Sequence, residues 1–234
     1  MNILILDFRI IFGYSERMRT IPREVCFDLI KKSFSLSQIQ KSVLIGTILG
    51  DGKLQFRGRN CRLHIKHALE QLPLVEYKRK IFSNITSMEV RKFQQIVGEG
   101  VYNFAEFVTL THPEFTRYYH LFYPSFKKIV PEKIDQLLIN PLSLAVWFMD
   151  DGSADYAGAA LNTHSFVEDD IEILMMMIRR NFDIKTNKRL NKGKWIIYFP
   201  KASMPRLESI IGKYLLKDFK YKLIPYSVRK KQTP

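Results

Sequence analysis

Cysteine is almost absent from this chain: Cys26 and Cys61 are the only two. Their separation matches neither a redox pair nor a zinc-ligand spacing. That excludes a disulfide scaffold and a cysteine-built metal site, and leaves two reduced thiols in a reducing compartment. Long hydrophobic runs are missing at the start as well. Met1-Asn2-Ile3-Leu4-Ile5-Leu6 soon meets Asp7 and Arg9. This run is too short to span a bilayer, and it lacks the basic stretch and small-residue cleavage site of a signal peptide. Acids are scarce relative to bases: 23 Asp and Glu stand against 37 Lys and Arg, a net charge of +14. Solubility alone calls for a more balanced surface. The excess points to a polyanionic partner, nucleic acid ahead of an anionic membrane surface.

What is present is apolar and repeated. Hydrophobic residues make up 46% of the 234 positions, enough to build the core of one large domain or two small ones. The run Leu144-Ala145-Val146-Trp147-Phe148-Met149 ends abruptly in Asp150-Asp151-Gly152. A carboxylate in the last turn of a helix faces the negative end of the macrodipole, at a cost of about 0.3–1 kcal/mol. A following glycine suits the left-handed residue that often ends a helix. The same ending closes Leu44-Ile45-Gly46-Thr47-Ile48-Leu49-Gly50-Asp51-Gly52, and Asp51 and Asp151 lie 100 residues apart.

The elements around the two runs repeat too. Residues 1–36 form a poorly defined extension, with a helix start near Pro22. Ser35 or Ser37 caps the first motif helix, which runs from Gln38. Strands are expected at Lys53–Arg57 and Arg62–His67 about a Gly58-Arg59-Asn60 turn, then a helix over Leu69–Ser83. A second strand pair, Glu89–Val97 and Val101–Leu110, turns at Gly98-Glu99-Gly100, and Pro113 opens an aromatic helix. After the second motif come strand material at Ser153–His164, a helix over Val167–Arg180, strands at Ile184–Leu190 and Lys194–Pro200 turning at Asn191-Lys192-Gly193, and a helix over Met204–Leu216. Each half therefore reads helix–strand–strand–helix–strand–strand–helix, an internal duplication. The fold class is α+β. The division is an N-terminal extension, 1–36; a first half, 37–140; and a second half, 141–234, ending in a basic tail. Lys128-Ile129-Val130-Pro131 echoes Lys222-Leu223-Ile224-Pro225, and His67 and His164 each close the second strand of a half.

A pseudo-twofold axis between such halves sets the two motif helices side by side at the centre. Gly46 and Gly50, spaced i, i+4, clear one face for close approach. Asp51 and Asp151 then emerge together. Adjacent carboxylates need a shared proton, basic partners or a divalent metal. Oxygen ligands without a His/Cys cluster suit Mg2+, with Mn2+ able to substitute. Such ions serve phosphodiester hydrolysis, with Lys128 and Lys222 as charge stabilisers. The strands supply cations of one sign: Lys53, Arg57, Arg59, Arg62 and Lys66 without an acid among them, then Lys185, Lys188, Arg189, Lys192, Lys194 and Lys201, again without one. Alternating side chains on such strands lie in a DNA groove, where bases are read and phosphates held. The candidate DNA-contacting set on the strands is Lys53, Arg57, Arg59, Arg62, His64, Lys66, Lys185, Lys188, Arg189, Asn191, Lys192 and Lys194. The stretch Ser153–His164 carries only Asp155 as charge, so the halves should grip unequally.

Both motifs resemble the LAGLIDADG signature, and the chain resembles a single-chain, two-motif LAGLIDADG homing endonuclease of the kind encoded in group I introns. The resemblance covers about residues 37–230 and includes Asn162-Thr163-His164-Ser165-Phe166 and Tyr221-Lys222-Leu223-Ile224-Pro225. It implies an αββαββα duplication with saddle-shaped antiparallel sheets over a long DNA site, cleaved on both strands by a monomer. It also implies metal binding by Asp51 and Asp151, helped by the carbonyls of Gly50 and Asp150, and a basic residue per half, Lys128 and Lys222. Family members often carry Gln where His67 and His164 stand, which leaves water positioning, DNA contact or packing open for the two histidines, and both join the candidate DNA-contacting set on this ground. Val146 and Asp150 replace the usual glycine or alanine, which predicts looser or asymmetric helix packing. Asp150 is expected to matter through its backbone carbonyl more than its carboxylate, and Asp150→Asn to be milder than Asp151→Asn.

The alternative on the same fold is a maturase that binds intron RNA, and a third is a DNA-binding regulator without catalysis. An intein is disfavoured, because no splicing block flanks the motifs. The compartment expected is a bacterial nucleoid or an organelle, without secretion and without a membrane partner.

Overall fold

Two helices that are apolar on every side can only be stable at the centre of a molecule, and that is where both motif helices sit. The computed structural model describes residues 34–229. The expected helix start near Pro22, Cys26, and most of the N-terminal extension lie outside the described residues. Helix α1 spans Gln38–Leu49, and every residue from Ser42 to Leu49 is buried. Ser37 rather than Ser35 starts it, through a reciprocal cap. The Ser37 hydroxyl accepts from the Gln40 N–H at 3.2 Å, and the Gln40 side chain accepts from the Ser37 N–H at 3.0 Å, satisfying two otherwise unpaired donors.

In the first half, strands β1 (Lys53–Arg57) and β2 (Asn60–Ala68) are followed by α2 (Leu72–Ile81), β3 (Arg91–Val97), β4 (Gly100–Val108) and α3 (Pro113–Phe122). Helix α4, Pro141–Asp151, opens the second half with Pro141 at its first position and the Asn140 side chain accepting from the Leu142 N–H. It leads into β5 (Gly152–Ala154), β6 (Ala159–Leu161), α5 (Glu168–Phe182), β7 (Asn187–Asn191), β8 (Lys194–Phe199) and α6 (Met204–Ile211). The two antiparallel sheets have corresponding strand orders, β1-β2-β4-β3 and β5-β6-β8-β7. Helices α2 and α3 cover one face of the first sheet and α5 covers one face of the second, while α6 packs on α4. A single apolar core joins Leu44 and Ile48 of α1, Trp147 and Phe148 of α4, and the inward residues of both sheets. Among the described residues no helix is long and apolar enough to cross a membrane.

The motif helices cross in tight contact. A Cβ on Gly46 would lie 2.3 Å from the Ser143 carbonyl oxygen and 2.8 Å from the Val146 Cβ, and one on Gly50 would lie 2.6 Å from the Asp150 Cβ. Gly46 thus faces Val146, and Gly50 faces Asp150. Of the looser or asymmetric packing expected from those two larger residues, the crossing is asymmetric and not loose: each of them occupies the space that a glycine of α1 leaves. The glycines after the acids also have a different role from the one expected. Gly152 has φ −71°, and Gly58, Gly98 and Gly193 are the described glycines with positive φ. Gly52 and Gly152 are needed for room: a Cβ would meet the Thr47 side chain at 2.1 Å in one case and the Phe148 carbonyl at 2.3 Å in the other.

The second sheet begins with two strands of three residues each, far shorter than the Ser153–His164 stretch expected. After Leu161 the chain leaves the sheet. Asn162 turns to the Asp151 carbonyl, donating from its main chain at 3.0 Å and its side chain at 2.8 Å. His164 therefore stands beyond the strand, whereas His67 is the penultimate residue of β2, and the histidine echo between the halves is lost.

Candidate functional site

The helix ends converge on an open cavity of about 430 Å³ whose lining includes Asp51, Asp151, Lys128, Tyr123, Asn162 and His164. One lysine from each half reaches the last carbonyls of a motif helix. Lys128 Nζ donates to the Leu49 and Gly50 oxygens at 3.2 and 2.9 Å. Lys222 Nζ donates to the Met149 and Asp150 oxygens at 2.5 and 3.2 Å. The two pairs occupy equivalent positions in the repeat, and each ammonium meets the negative end of a helix dipole. Burial lowers the pKa of both lysines, and the surrounding acids Asp51, Asp150 and Asp151 oppose it.

The acids differ. The Asp51 side chain is 47% exposed. Asp151 is more enclosed. Burial first, then repulsion from Asp51 and Asp150, pushes it up to about 8, while Lys128 and Lys222 pull it back. Two carboxylates that repel each other in one open cavity form a site short of positive charge. Among the described residues no group of three His, Cys, Asp or Glu is arranged to hold a metal. An ion here would complete its shell from carbonyls, water and substrate oxygens, the pattern of Mg2+ or Mn2+ and not of zinc. The Gly50 and Asp150 carbonyls, each accepting from one lysine, keep a second lone pair for such an ion. The donor set fits.

The Asp150 side chain goes elsewhere. Both its oxygens accept from Lys78 Nζ, at 2.6 and 2.8 Å, and Lys78 is fully buried on α2. Burial pushes the Asp150 carboxyl up, and the Lys78 ammonium holds it down. The Asp150 carbonyl was expected to matter more than its carboxylate; the carboxylate has a structural place of its own, as half of a buried ion pair. Lys78 was legible only as an anomaly, a lysine on the Leu74, Val75, Phe82 face of an amphipathic helix.

Sheet register sorts the candidate DNA contacts. Along β2, Cys61, Leu63, Ile65 and His67 point to the core, and Arg62, His64 and Lys66 point outward. Lys53 and Arg57 of β1 are exposed, as is Arg59 in the turn. A hydrogen-bonded chain crosses all four strands of the outer face. Arg91 donates to Glu106 at 3.0 Å, Glu106 pairs with His64 at 3.0 Å, His64 with Gln55 at 2.8 Å, and Gln55 accepts from Arg62 at 3.0 Å. Lys66 Nζ lies 4.0 Å from the Phe104 ring centroid and bonds Gln95. Gln55, Arg91 and Glu106 escaped the sequence reading, which followed runs of one charge.

Two candidates are on the wrong face. His67 pairs across the sheet with Ala105, is 4% exposed, and faces the helices. Burial, then Lys78, depresses it to about 3, so the ring is neutral. Lys188 sits opposite buried Ile197 and bonds Glu168 and, at 2.7 Å, Glu172 of α5. On the outer side of the second sheet, Arg189 bonds Asp155, while Lys192 and Lys194 are exposed at the hairpin end beside half-buried Asn191. Lys185 and Lys201 flank the hairpin, both exposed, and His164 is exposed at the cavity.

The sequence model described as the LAGLIDADG DNA endonuclease family matches residues 41–207. The chain is 28% identical over 206 residues to "Probable intron-encoded endonuclease 1" of Wickerhamomyces canadensis, covering 84% of this chain and 89% of that one. It is also 28% identical to "Cytochrome b mRNA maturase bI2" of Saccharomyces cerevisiae over 202 residues, 79% of this chain and 47% of that protein. Among solved structures, "The homing endonuclease I-WcaI bound to its DNA recognition sequence" superposes with a TM-score of 0.79 at 25% identity, covering 93% of this chain and 97% of that one.

Proposed function

Since the chain belongs to the LAGLIDADG DNA endonuclease family, we propose that it is a site-specific double-strand DNA endonuclease using Mg2+, or Mn2+ in its place, on a long asymmetric target, and that it promotes intron mobility. The observation that carries this reading is the meeting of Asp51 and Asp151 in one open cavity, each beside a lysine bound to its helix end. Asp51 and Asp151 would hold the ion, with the Gly50 and Asp150 carbonyls available beside them. When bound, the ion neutralises charge on the scissile phosphate and promotes attack by water.

The chain's own residues do the rest. Lys128 and Lys222 fix the carbonyl ends of α1 and α4 and place positive charge where the phosphate must come. Arg62, His64 and Lys66, with Lys53 and Arg57, follow the groove from the outer face of the first sheet. Arg189, Asn191, Lys192 and Lys194 do so from the second. A short, uncharged β5–β6 pair on one side and a cross-strand polar chain on the other fit an asymmetric target. Both acids come from one chain, so the active unit is a monomer.

The test is incubation with DNA carrying the uninterrupted insertion site. Cleavage of both strands in Mg2+ or Mn2+, and none with chelator, supports the reading; no cleavage in either ion refutes it. A maturase reading is favoured by one observation, the similarity to two proteins named cytochrome b mRNA maturase. Its test is the intron splicing rate with and without the protein, and equal rates dispose of it.

A further inference from the structure

Lys78 is a fully buried cation with no part in the chemistry above. It belongs to α2 in the first half, and the carboxylate it binds, Asp150, belongs to α4 in the second. That carboxylate also reaches back: Asp150 Oδ2 accepts the main-chain N–H of Asp51 at 3.4 Å. It can do so because position 50 is glycine, where a Cβ would lie 2.5 Å from the same oxygen. The neutral His67 ring stands between the two acids. Its Nδ1 is 3.5 Å from Asp51 Oδ2 and its Nε2 is 3.6 Å from Asp150 Oδ1. Nε2 is buried without a hydrogen-bond partner, and the ring is held between these carboxylates with support from a side-chain hydrogen bond with Gln71.

Asp151 is held differently. Its main-chain carbonyl accepts from Asn162, and the repeat places Gly50 where a counterpart of Asp150 would stand. No carboxylate crosses to it from that position, and His164 is exposed in a loop. The two acids therefore occupy sites of different construction within an otherwise repeated frame.

We propose that Lys78, Asp150 and His67 form a positioning relay that crosses between the halves, braces Asp51 alone, and makes the two half-sites unequal in metal affinity and in strand cleavage. The proposal rests on the endonuclease reading for the role of Asp51 as a ligand. Groups behind a ligand fix its orientation, and their loss typically weakens metal binding about 10–100-fold. A buried ion pair can be exchanged for apolar residues of similar shape with little loss of stability. Lys78→Met/Asp150→Leu therefore removes the relay while keeping the fold.

The experiment measures Mn2+ binding by electron paramagnetic resonance in two backgrounds. Asp151→Asn reports the Asp51 half, and Asp51→Asn reports the other. The double substitution is expected to weaken binding about tenfold or more in the first background and less than about twofold in the second. His67→Leu, which leaves the ion pair intact, is expected to act in the same background; it decides the matter if circular dichroism shows the double variant unfolded. Equal weakening in both backgrounds, no change in the first, or no Mn2+ binding there at all overturns the relay. With strand-labelled target DNA, the double variant is expected to change the ratio of the two nicking rates about tenfold. An unchanged ratio overturns the relay and leaves the endonuclease reading standing. Relay-sensitive Mn2+ binding in a protein that cuts no DNA supports the relay and overturns that reading.

Discussion

Asp151 and His67 give the metal-free protein a stability profile with opposed slopes. Asp151 is pushed up to about 8 in the folded protein, against about 3.9 for an unfolded aspartate. Between those values the folded state keeps a proton that the unfolded state has released. Stability therefore falls as pH rises, by about 1.4 kcal/mol per pH unit from this group. His67 acts in the other direction. It is depressed to about 3, against about 6.5 unfolded, so between those values the unfolded state binds the extra proton and stability rises with pH. The two slopes cancel from about pH 4 to about 6.5; above that the His67 slope ends and the Asp151 slope continues, removing about 2 kcal/mol by pH 8.

Substituting Asp151→Asn removes this loss. Urea unfolding in the presence of chelator, for wild type and variant at several pH values, isolates the term, because other groups largely cancel in the difference. The variant's advantage is expected to grow by about 2 kcal/mol between about pH 6.5 and pH 8. A constant difference across that range, or a wild type more stable than the variant at pH 8, refutes the placement of Asp151 beside two other carboxylates.

Three further outcomes follow from the packing. Gly46→Ala sets a methyl 2.3 Å from the Ser143 carbonyl oxygen and is expected to lower the urea-derived stability by about 1–3 kcal/mol; no loss would mean that the helices part freely. Asp150→Leu alone leaves Lys78 buried and unpaired and is expected to cost about 3–5 kcal/mol, a drop of roughly 6–20 °C in Tm by calorimetry. Lys78→Met/Asp150→Leu recovers most of it. Lys53→Met is expected to reduce the slope of log K against log salt by about 0.9 in a DNA-binding titration, whereas Lys188→Met, held by Glu168 and Glu172 on the inner side, leaves the slope unchanged.

Much of the frame was legible because it follows from periodicity and punctuation. Strand β1 has the bounds expected, and the Gly58, Gly98 and Lys192-Gly193 turns have the positive φ that their residues invite. The convergence of Asp51 and Asp151 on one cavity follows from the two apolar helices. What escaped was decided by which face a residue takes. A run of positive charge drew Lys188 into the DNA-facing set, and its place at the end of a strand drew His67, but strand alternation turns both inward, one into the core and one onto acids of α5. Pairs between distant segments escaped too. Lys78 with Asp150, Glu106 with Arg91 and His64, and Asn162 with the Asp151 carbonyl depend on tertiary contacts that no local pattern announces. The relation between α1 and α4 was half legible. The glycines marked a close approach, but that Val146 and Asp150 fill the gaps opposite them depends on the register of the crossing.

In the proposed mechanism Asp51 and Asp151 together form one metal-dependent cutting centre on DNA. Binding and strand-resolved cleavage of the same target DNA, compared for wild type, Asp51→Asn and Asp151→Asn in Mg2+, test it most directly. Each substitution is expected to abolish cleavage of at least one strand while DNA affinity stays within a few-fold of wild type. Full cleavage of both strands by either variant would contradict it.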